Sequence, residues 1–275
     1  MLYLLKEMWS LSPGEYVSLP TYSKRTGWHN GPLVRKDSVE GFADAEKFDL
    51  YFSPLTYIDQ AGGRKRTNIE YAGVLYADMD EAPVNIPKEI PFPNLIVASG
   101  TDGHEHWYWY LEEPAPVSEW ELYARGTSEF LGADPGGWDV TQVLRVPDSL
   151  NHKHTPPKRV QQVMDIVGQR YKLTDFPKTE AKIVTVDDTD LPPLPDMSRE
   201  ASQSALLWAW DEHLSIEDKL LLTGLDTARD RSKVIWGQIQ RWRSQGMGEA
   251  TIFQILVAAP YNKYTPERLW AQIHK

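Results

Sequence analysis

The sequence predicts an α+β fold, in which a sheet-forming amino-terminal part is followed by a small all-helical part. Short apolar segments rich in β-formers recur up to about residue 167, and a glycine-containing turn between residues 94–99 and 104–111 predicts a β-hairpin. A stretch rich in Pro and Asp at 185–198 has the composition of a linker. Beyond it the apolar residues adopt helical spacing. We therefore predict one domain at 1–184, a linker at 185–198 and a helical domain at 199–275.

The composition is that of an ordinary globular protein. The chain has 275 residues, of which 41% are hydrophobic and 25% charged. It contains no cysteine, which excludes disulfides and thiolate zinc sites. No apolar run approaches the roughly 20 residues that cross a bilayer, and the start of the chain lacks the basic region of a signal peptide. We expect an intracellular protein with no membrane partner.

The formal net charge of −10 argues against broad, nonspecific nucleic-acid binding, which usually leaves a basic footprint. Basic residues nevertheless occur in small clusters, which matter only if they converge on one groove. The clusters are Lys24-Arg25, Arg35-Lys36, Arg64-Lys65-Arg66, 153–159 and 229–233.

Residues 1–69 contain two predicted strands, at 15–20 and 47–54. Between them lies a polar loop that includes Gly27, Trp28 and His29. Residues 59–69 are predicted to form a basic and flexible loop, because they contain two adjacent glycines followed by three basic residues.

The segment 72–80 predicts a buried strand that ends in two carboxylates. Asp78 and Asp80 are two positions apart, so both side chains leave the same face of a strand, with roots about 7 Å apart. At an effective dielectric constant of about 20, two such charges repel each other by roughly 2 kcal/mol. A hard divalent cation would relieve this repulsion. Taken alone, the pair fits a simple acidic loop after a strand equally well.

The returning strand of the hairpin alternates between two sets of side chains. One face can belong to the core, while the other presents His106 to a cleft. His106 shares its face with Tyr108 and Tyr110, and Trp107, Trp109 and Leu111 share the opposite face.

After the hairpin, residues 117–131 predict a helix with Ser118 as its N-cap. Residues 138–147 predict a strand that begins near Asp139, with Asp139 and Arg145 on the same face. Residues 159–167 predict a last strand. In the helical part, the helix starts are Ser198, the capping box that begins at Ser215, and Thr265 followed by proline. Further helices are predicted at 232–245 and 248–259.

Three carboxylates and a histidine on neighbouring strands suit two-metal phosphoryl or nucleotidyl transfer. The candidates are Asp78, Asp80, Asp139 and His106. Ser99, His106 and Lys153 could hold a triphosphate, and Arg145 could help to neutralise it. These residues also have structural interpretations. His106 could be a histidine that packs among aromatic residues, Ser99 could belong to a simple Ser-Gly turn, and Arg145 could pair with a surface acid.

Taken in order, these motifs resemble those of the archaeo-eukaryotic primase superfamily, in particular its phage and plasmid primase-polymerases. The first motif is Asp78-Met79-Asp80. The second is Ser99-Gly100, a short turn and an aromatic strand, in the register that selects His106 over His104. The third is Asp139 opening a strand that runs into Arg, Pro, Asn and Lys, namely Arg145, Pro147, Asn151 and Lys153. The resemblance covers roughly residues 70–160, and Asp148 stands where many relatives have glycine.

The resemblance implies an RRM-like mixed or antiparallel sheet as the catalytic core. It implies that Asp78, Asp80 and Asp139 bind two Mg²⁺ or Mn²⁺ ions, and that Ser99, His106 and Lys153 contact the triphosphate of an incoming NTP or dNTP. The reaction would start primers de novo on single-stranded DNA, in the cytoplasm of a bacterial or archaeal host. No Gly-x-x-x-x-Gly-Lys-Ser/Thr motif occurs, so a replicative helicase would be a separate partner or part. The helical domain could hold the template, and a cap without a nucleic-acid role fits equally well.

Two other functions are compatible with parts of the sequence. A rolling-circle replication initiator uses a His-hydrophobic-His pair, but Glu105 separates His104 from His106 here, and that class has no role for Asp139 and Lys153. A non-catalytic single-strand-binding module would use exposed aromatic residues for base stacking. Such a module predicts binding that survives the loss of Asp78 or Asp80.

Overall fold

The computed structural model describes residues 2–83, 85–180, 191–225 and 231–274, and the chain divides into two compact units, Met1–Ile183 and Val184–Lys275. Part of the predicted linker, residues 185–190, and part of the basic cluster, residues 229–230, lie outside the described residues. Each unit has its own hydrophobic core. In the described part, no helix is long and apolar enough to cross a membrane.

The first unit combines short strands with two helices, and the second unit is helical. The strands are β1 Tyr16–Val17, β2 Thr21–Ser23, β3 Gly27–His29, β4 Val34–Arg35, β5 Asp49–Phe52, β6 Tyr71–Met79, β7 Leu95–Ala98, β8 Glu105–Pro116, β9 Leu144–Arg145, β10 Leu150–Asn151, β11 Lys158–Arg159 and β12 Gln161–Asp165. The helices are α1 Leu2–Ser10, α2 Val117–Leu131, α3 Arg199–Trp210, α4 Ile216–Leu222, α5 Arg231–Ser244, α6 Glu249–Val257 and α7 Pro266–Ile273. The predicted α+β class, with antiparallel sheets and a small helical part, is confirmed.

The main sheet is the four-stranded antiparallel sheet with the order β12-β7-β8-β6. The predicted hairpin is confirmed as the pair β7 and β8. Both faces of β8 are covered: the ring of Tyr108 stacks on Phe52 at 6.3 Å, and the ring of Trp109 meets Phe176 at 5.6 Å. His106 is therefore only 4% exposed, deeper than a residue that lines an open cleft.

The small sheet has the order β3-β2-β5-β9 and is also antiparallel. Alternation along β5 buries Leu50 and Phe52 in the core. The opposite face carries polar and aromatic side chains from all four strands, namely Tyr22, Trp28, Asp49, Tyr51 and Arg145.

Three local predictions for the first unit are wrong, and helix α1 was not predicted. Gly27, Trp28 and His29, predicted to lie in a polar loop, form strand β3. Helix α2 begins at Val117 after Pro116, without a side-chain cap, so Ser118 is not its N-cap. Residues 138–147 contain a strand only at Leu144–Arg145, because the preceding segment folds into turns. In these turns Asp139 accepts hydrogen bonds from the amide and hydroxyl of Thr141, which replaces strand pairing with a local bond.

In the second unit, the predicted helix starts are confirmed. The side chains of Ser198, Ser215 and Thr265 each accept a hydrogen bond from a backbone amide of the first helical turn. Ser215 and Asp218 form the reciprocal capping box. Asp218 is 1% exposed and also accepts hydrogen bonds from Gln238 and Arg241 of α5, so one carboxylate joins two helices.

Candidate active site

The end of β6 and the start of β8 bring two acidic and two histidine side chains together. Asp78 lies opposite His106 in the antiparallel register, and the distance from His106 Nε2 to Asp78 Oδ1 is 3.6 Å. Just beyond the strand end, His104 Nδ1 lies 3.1 Å from Asp80 Oδ1. The motif register selected His106 over His104, and in the structure each of the two histidines faces its own aspartate.

The carboxylate of Asp78 is in an environment that disfavours its charge. Burial, followed by the negative charges of Asp134 and Asp80, raises its pKa to about 7, while Arg145 acts in the opposite direction. Asp80 has a 68% exposed side chain, so water solvates it far better. A buried carboxylate with a strongly perturbed pKa is typical of a functional site.

His106 is the buried partner of this carboxylate. Burial, with the positive charges of Arg145 and His104, lowers its pKa to about 3, so the imidazole is neutral at physiological pH. Its Nδ1 atom has no hydrogen-bond partner among the described residues. A buried ring nitrogen without a partner costs free energy, and a ligand that bonded to it would recover that cost.

Asp134 is a third carboxylate that the sequence reasoning missed. Its backbone amide donates a 2.8 Å hydrogen bond to the carbonyl oxygen of Asp78. The loop can approach so closely because of Gly137, where an added Cβ would lie 2.9 Å from the Cβ of Asp78. The available signal was an aspartate in the glycine-rich loop after α2, but only the fold brings that loop to the end of β6.

Asp139, the third carboxylate of the motif resemblance, lies further along the same loop and is exposed. Its carbonyl oxygen accepts a 2.7 Å hydrogen bond from the hydroxyl of Tyr76, and its carboxylate accepts the bonds from Thr141. Its charge contributes to raising the pKa of Tyr76, after burial. The carboxylates whose charges act on Asp78 are Asp134 and Asp80. The role of Asp139 as a metal ligand stays a prediction.

Hydrogen bonds connect the second motif, at Ser99-Gly100, to the end of the third motif, at Asn151 and Lys153. Asn151 donates a 2.8 Å hydrogen bond from its side chain to the carbonyl oxygen of Ser99, and it accepts one of 3.0 Å from the amide of Lys153. Gly100 has a φ of 82° and lies so close to Asn151 that an added Cβ would be 3.0 Å from the Cβ of that residue. Lys153 is exposed and forms no ion pair with any described residue. Ser99 and Lys153 thus belong to one hydrogen-bonded unit.

Asp148 has a φ of 62°, which is the left-handed region. Glycine adopts this conformation freely, and aspartate is among the few other residues that tolerate it. Aspartate is therefore compatible with the left-handed backbone of this turn.

Arg145 connects this site to the small sheet. Its guanidinium is 3.0 Å from the buried carboxylate of Asp49 and lies over the ring of Tyr51, 5.0 Å from its centroid. Asp49 also accepts a 2.7 Å hydrogen bond from the amide of His152. The partner of Arg145 is thus a buried acid, which holds the guanidinium within electrostatic range of Asp78 and His106. No sequence pattern indicated a role for Asp49. Its partners Arg145 and His152 are 96 or more positions away along the chain.

The donor chemistry fits a hard divalent cation. Asp78, Asp80 and Asp134 offer only carboxylate oxygens, and their mutual repulsion is the effect that a cation would relieve. Among the described residues, no group of three or more His, Asp or Glu side chains is already gathered at metal-binding distance. Binding would therefore draw these carboxylates closer together.

No protein-family model matches the chain. A curated replication protein from Clostridium perfringens is 23% identical over 181 residues, which make up 56% of this chain and 43% of that protein. The chain thus matches less than half of the length of this curated relative.

Solved structures with a similar fold include the AEP domain of the primase-polymerase of cyanophage S-2L. It has 16% identity and a TM-score of 0.44, over 58% of this chain and 86% of that one. The primase RepB′ has 16% identity and a TM-score of 0.47, over 99% of this chain and 93% of that one. The proteins that this chain is similar to are thus a replication protein, a primase-polymerase and a primase.

Proposed function

We propose that the chain is a DNA primase of the primase-polymerase type, which joins nucleotides de novo on a single-stranded DNA template. The observation that carries the proposal is the partly buried carboxylate of Asp78, which lies 3.6 Å from the neutral ring of His106 and whose pKa is raised to about 7 by desolvation, Asp134 and Asp80. Replication is also the role named for the curated relative.

Asp78 and Asp80 would hold two Mg²⁺ or Mn²⁺ ions together with a third carboxylate. Asp139 is that carboxylate by the motif resemblance, and we propose Asp134 because its charge acts on Asp78. When bound, two such ions stabilise the attacking and leaving oxygens of an in-line displacement. The protein's part is to hold three carboxylates near one another and partly shielded from water, where a bound cation would favour their ionised form.

The remaining residues would position the incoming NTP or dNTP. The exposed ammonium of Lys153 suits a triphosphate oxygen, and Arg145 contributes positive charge from a side chain that Asp49 holds in place. His106 would donate a hydrogen bond from its neutral ring to the triphosphate. The Ser99-Gly100 turn lies near Lys153, because the side chain of Asn151 is hydrogen-bonded to the backbone of both Ser99 and Lys153. The turn would offer its backbone amides and the Ser99 hydroxyl as hydrogen-bond donors. Unwinding of the duplex falls to a separate replicative helicase.

The test is incubation with single-stranded DNA, labelled nucleotides and Mg²⁺ or Mn²⁺. The wild type is expected to make template-dependent oligonucleotides, and Asp78→Asn and Asp80→Asn are expected to make none. Asp44→Asn serves as a control, since Asp44 is exposed and pairs only with the neighbouring Lys47 and Glu46. Covalent capture of DNA on a tyrosine would indicate a rolling-circle initiator instead. Intact DNA binding without any product would indicate a non-catalytic binding module.

A further inference from the structure

A row of aromatic rings extends outward along the small sheet from Arg145. The guanidinium lies over Tyr51, the ring of Tyr51 is 4.6 Å from that of Trp28, and the ring of Trp28 is 5.5 Å from that of Tyr22. The four side chains share one face because Arg145 pairs with Tyr51, and Trp28 with Tyr22, in the strand registers. We call Tyr22, Trp28 and Tyr51 the aromatic row.

Trp28 is the exposed member of the aromatic row. Its ring lies between those of Tyr51 and Tyr22, and the residue is 52% exposed. Tyr22 and Tyr51 are partly buried and contact the indole on two sides. A large aromatic ring that neighbouring rings hold rigid, with half of its surface in water, offers a flat stacking face at low entropic cost.

Positive charge flanks the exposed indole. The turn between β2 and β3 carries Lys24 and Arg25, both exposed and without an ion pair to any described residue. At the other end of the hairpin, Arg64 donates hydrogen bonds to Asn30 and to the carbonyl oxygen of Thr141. In a chain of net charge −10, cations on both sides of an exposed tryptophan are a local exception.

The ligand that combines stacking faces with negative charge at short intervals is a single-stranded nucleic acid. Proteins that bind single strands use aromatic rings for the bases and a basic track for the phosphates. The row also shares Arg145 with the candidate active site, because that guanidinium acts on Asp78 and His106 as well as on Tyr51. A strand bound along the row would therefore lead toward the catalytic carboxylates.

We propose that the aromatic row is a stacking platform for an unpaired base of single-stranded DNA, with Trp28 as the contact residue and Lys24 and Arg25 as phosphate contacts. The identity of the strand as a DNA template rests on the proposed function. The stacking itself is a binding property, and it can be measured without nucleotides or metal ions.

The experiment measures the Kd of the full chain for a fluorescent oligothymidylate by anisotropy. Trp28→Ala is expected to weaken binding about tenfold, since stacking on one ring typically contributes that much or more. Trp28→Phe retains a ring and is expected to stay within about threefold of the wild type. Tyr71→Ala is the matched control: Tyr71 is 41% exposed at the start of β6, about 23 Å along the strand from Asp78, and its loss should leave the Kd unchanged.

An oligonucleotide with abasic sites separates the contribution of the bases to the binding affinity from that of the phosphates. The wild type should bind it about tenfold more weakly than oligothymidylate, whereas Trp28→Ala should bind both equally, because the ring and the base act as one pair. The double variant Lys24→Gln/Arg25→Gln should instead lower the slope of log Kd against log salt by about 1, with the preference for intact bases retained.

The platform proposal would be wrong if Trp28→Ala bound oligothymidylate with the same Kd as the wild type. It would also be wrong if Trp28→Phe and Trp28→Ala lost the same amount of affinity. Unfolding midpoints of all variants show whether each one is folded. The two proposals fail separately: a wild type that makes no primer contradicts the proposed function, while a primer-making wild type whose Trp28→Ala variant binds DNA normally contradicts only the platform.

Discussion

At the residue scale, Asp78 combines a proposed role as a metal ligand with a cost in stability. Its pKa is about 7 in the folded chain, against 3.8 for an unperturbed aspartate. Between these values the folded state holds a proton that the unfolded chain has lost, so the free energy of unfolding falls as the pH rises from about 4 to 7. Above pH 7 the full cost is present, and it is on the order of a few kcal/mol.

Asp78→Asn should therefore stabilise the metal-free protein while abolishing primer synthesis. At pH 8 we expect a higher unfolding midpoint than for the wild type, and at pH 4 the two should coincide. Asp80→Asn is the matched variant, because Asp80 is largely exposed: it should lose activity with little change in stability. Thermal unfolding at the two pH values measures this, and a destabilised Asp78→Asn at pH 8 would contradict it.

The third carboxylate can be assigned by comparing Asp134→Asn with Asp139→Asn. Because Asp134 raises the pKa of Asp78, its neutralisation should lower that pKa and weaken the stabilisation of the folded protein by Mg²⁺ or Mn²⁺. Primer synthesis should fall at least a hundredfold. In Asp139→Asn the metal-dependent shift in the unfolding midpoint should persist. A loss of that shift in Asp139→Asn alone would assign the site to Asp139, as the motif resemblance implies.

At the element scale, the loop after α2 must lie against the end of β6. Gly137 allows this approach, since an added Cβ would lie 2.9 Å from the Cβ of Asp78 and 3.2 Å from the carbonyl oxygen of Asp134. Neither contact is with the flexible end of a side chain, so the loop or the strand end must move.

Gly137→Ala should therefore lower primer synthesis at least tenfold, while the chain stays folded. Gly136→Ala is the control one position away, where the nearest atom to an added Cβ is 3.8 Å distant. Activity and unfolding midpoints of the two variants give the comparison. Equal activity in both would show that the loop position does not matter for the reaction.

At the scale of the whole molecule, the two units have separate cores and should report separately on their stability. In the second unit, burial raises the pKa of Asp218, but hydrogen bonds from Gln238 and Ser215 and the charge of Arg241 outweigh it, and the net shift is downward. A carboxylate with a lowered pKa stabilises the fold above its unfolded value of about 4, and this contribution is lost as the pH falls through the folded value.

Asp218→Asn should destabilise the helical unit by about 2–4 kcal/mol at pH 7, because it breaks a buried charged hydrogen-bond network. Calorimetry should show one transition lowered by roughly 10 °C or more and a second one unchanged. The deficit should shrink in acid. Asp211→Asn, at the exposed end of α3, is the control. A uniform shift of the whole unfolding curve would mean that the two units unfold together.

Features that depend on neighbours along the chain could be predicted from the sequence. Alternation and turn residues predicted β6, β7 and β8, and the capping residues Ser198, Ser215 and Thr265 marked the helix starts correctly. Asp78 lies at the end of β6 as predicted, whereas Asp80 lies just beyond the strand, and His106 was selected by the motif resemblance. The strand predicted at 138–147 failed because Asp139 bonds to Thr141, and such local side-chain bonds compete with pairing that apolar content alone suggests.

The residues that come together at the candidate site from distant parts of the chain could be identified only from the folded structure. Asp134 reaches Asp78 through a loop packed on a strand end, and Asp49 holds Arg145 across two strands of another sheet. The aromatic row likewise joins Trp28 to Tyr51 through strand registers that connect separate parts of the chain. The physical reason is that burial and Coulomb interactions depend on distance in space, and the sequence records distance only along the chain.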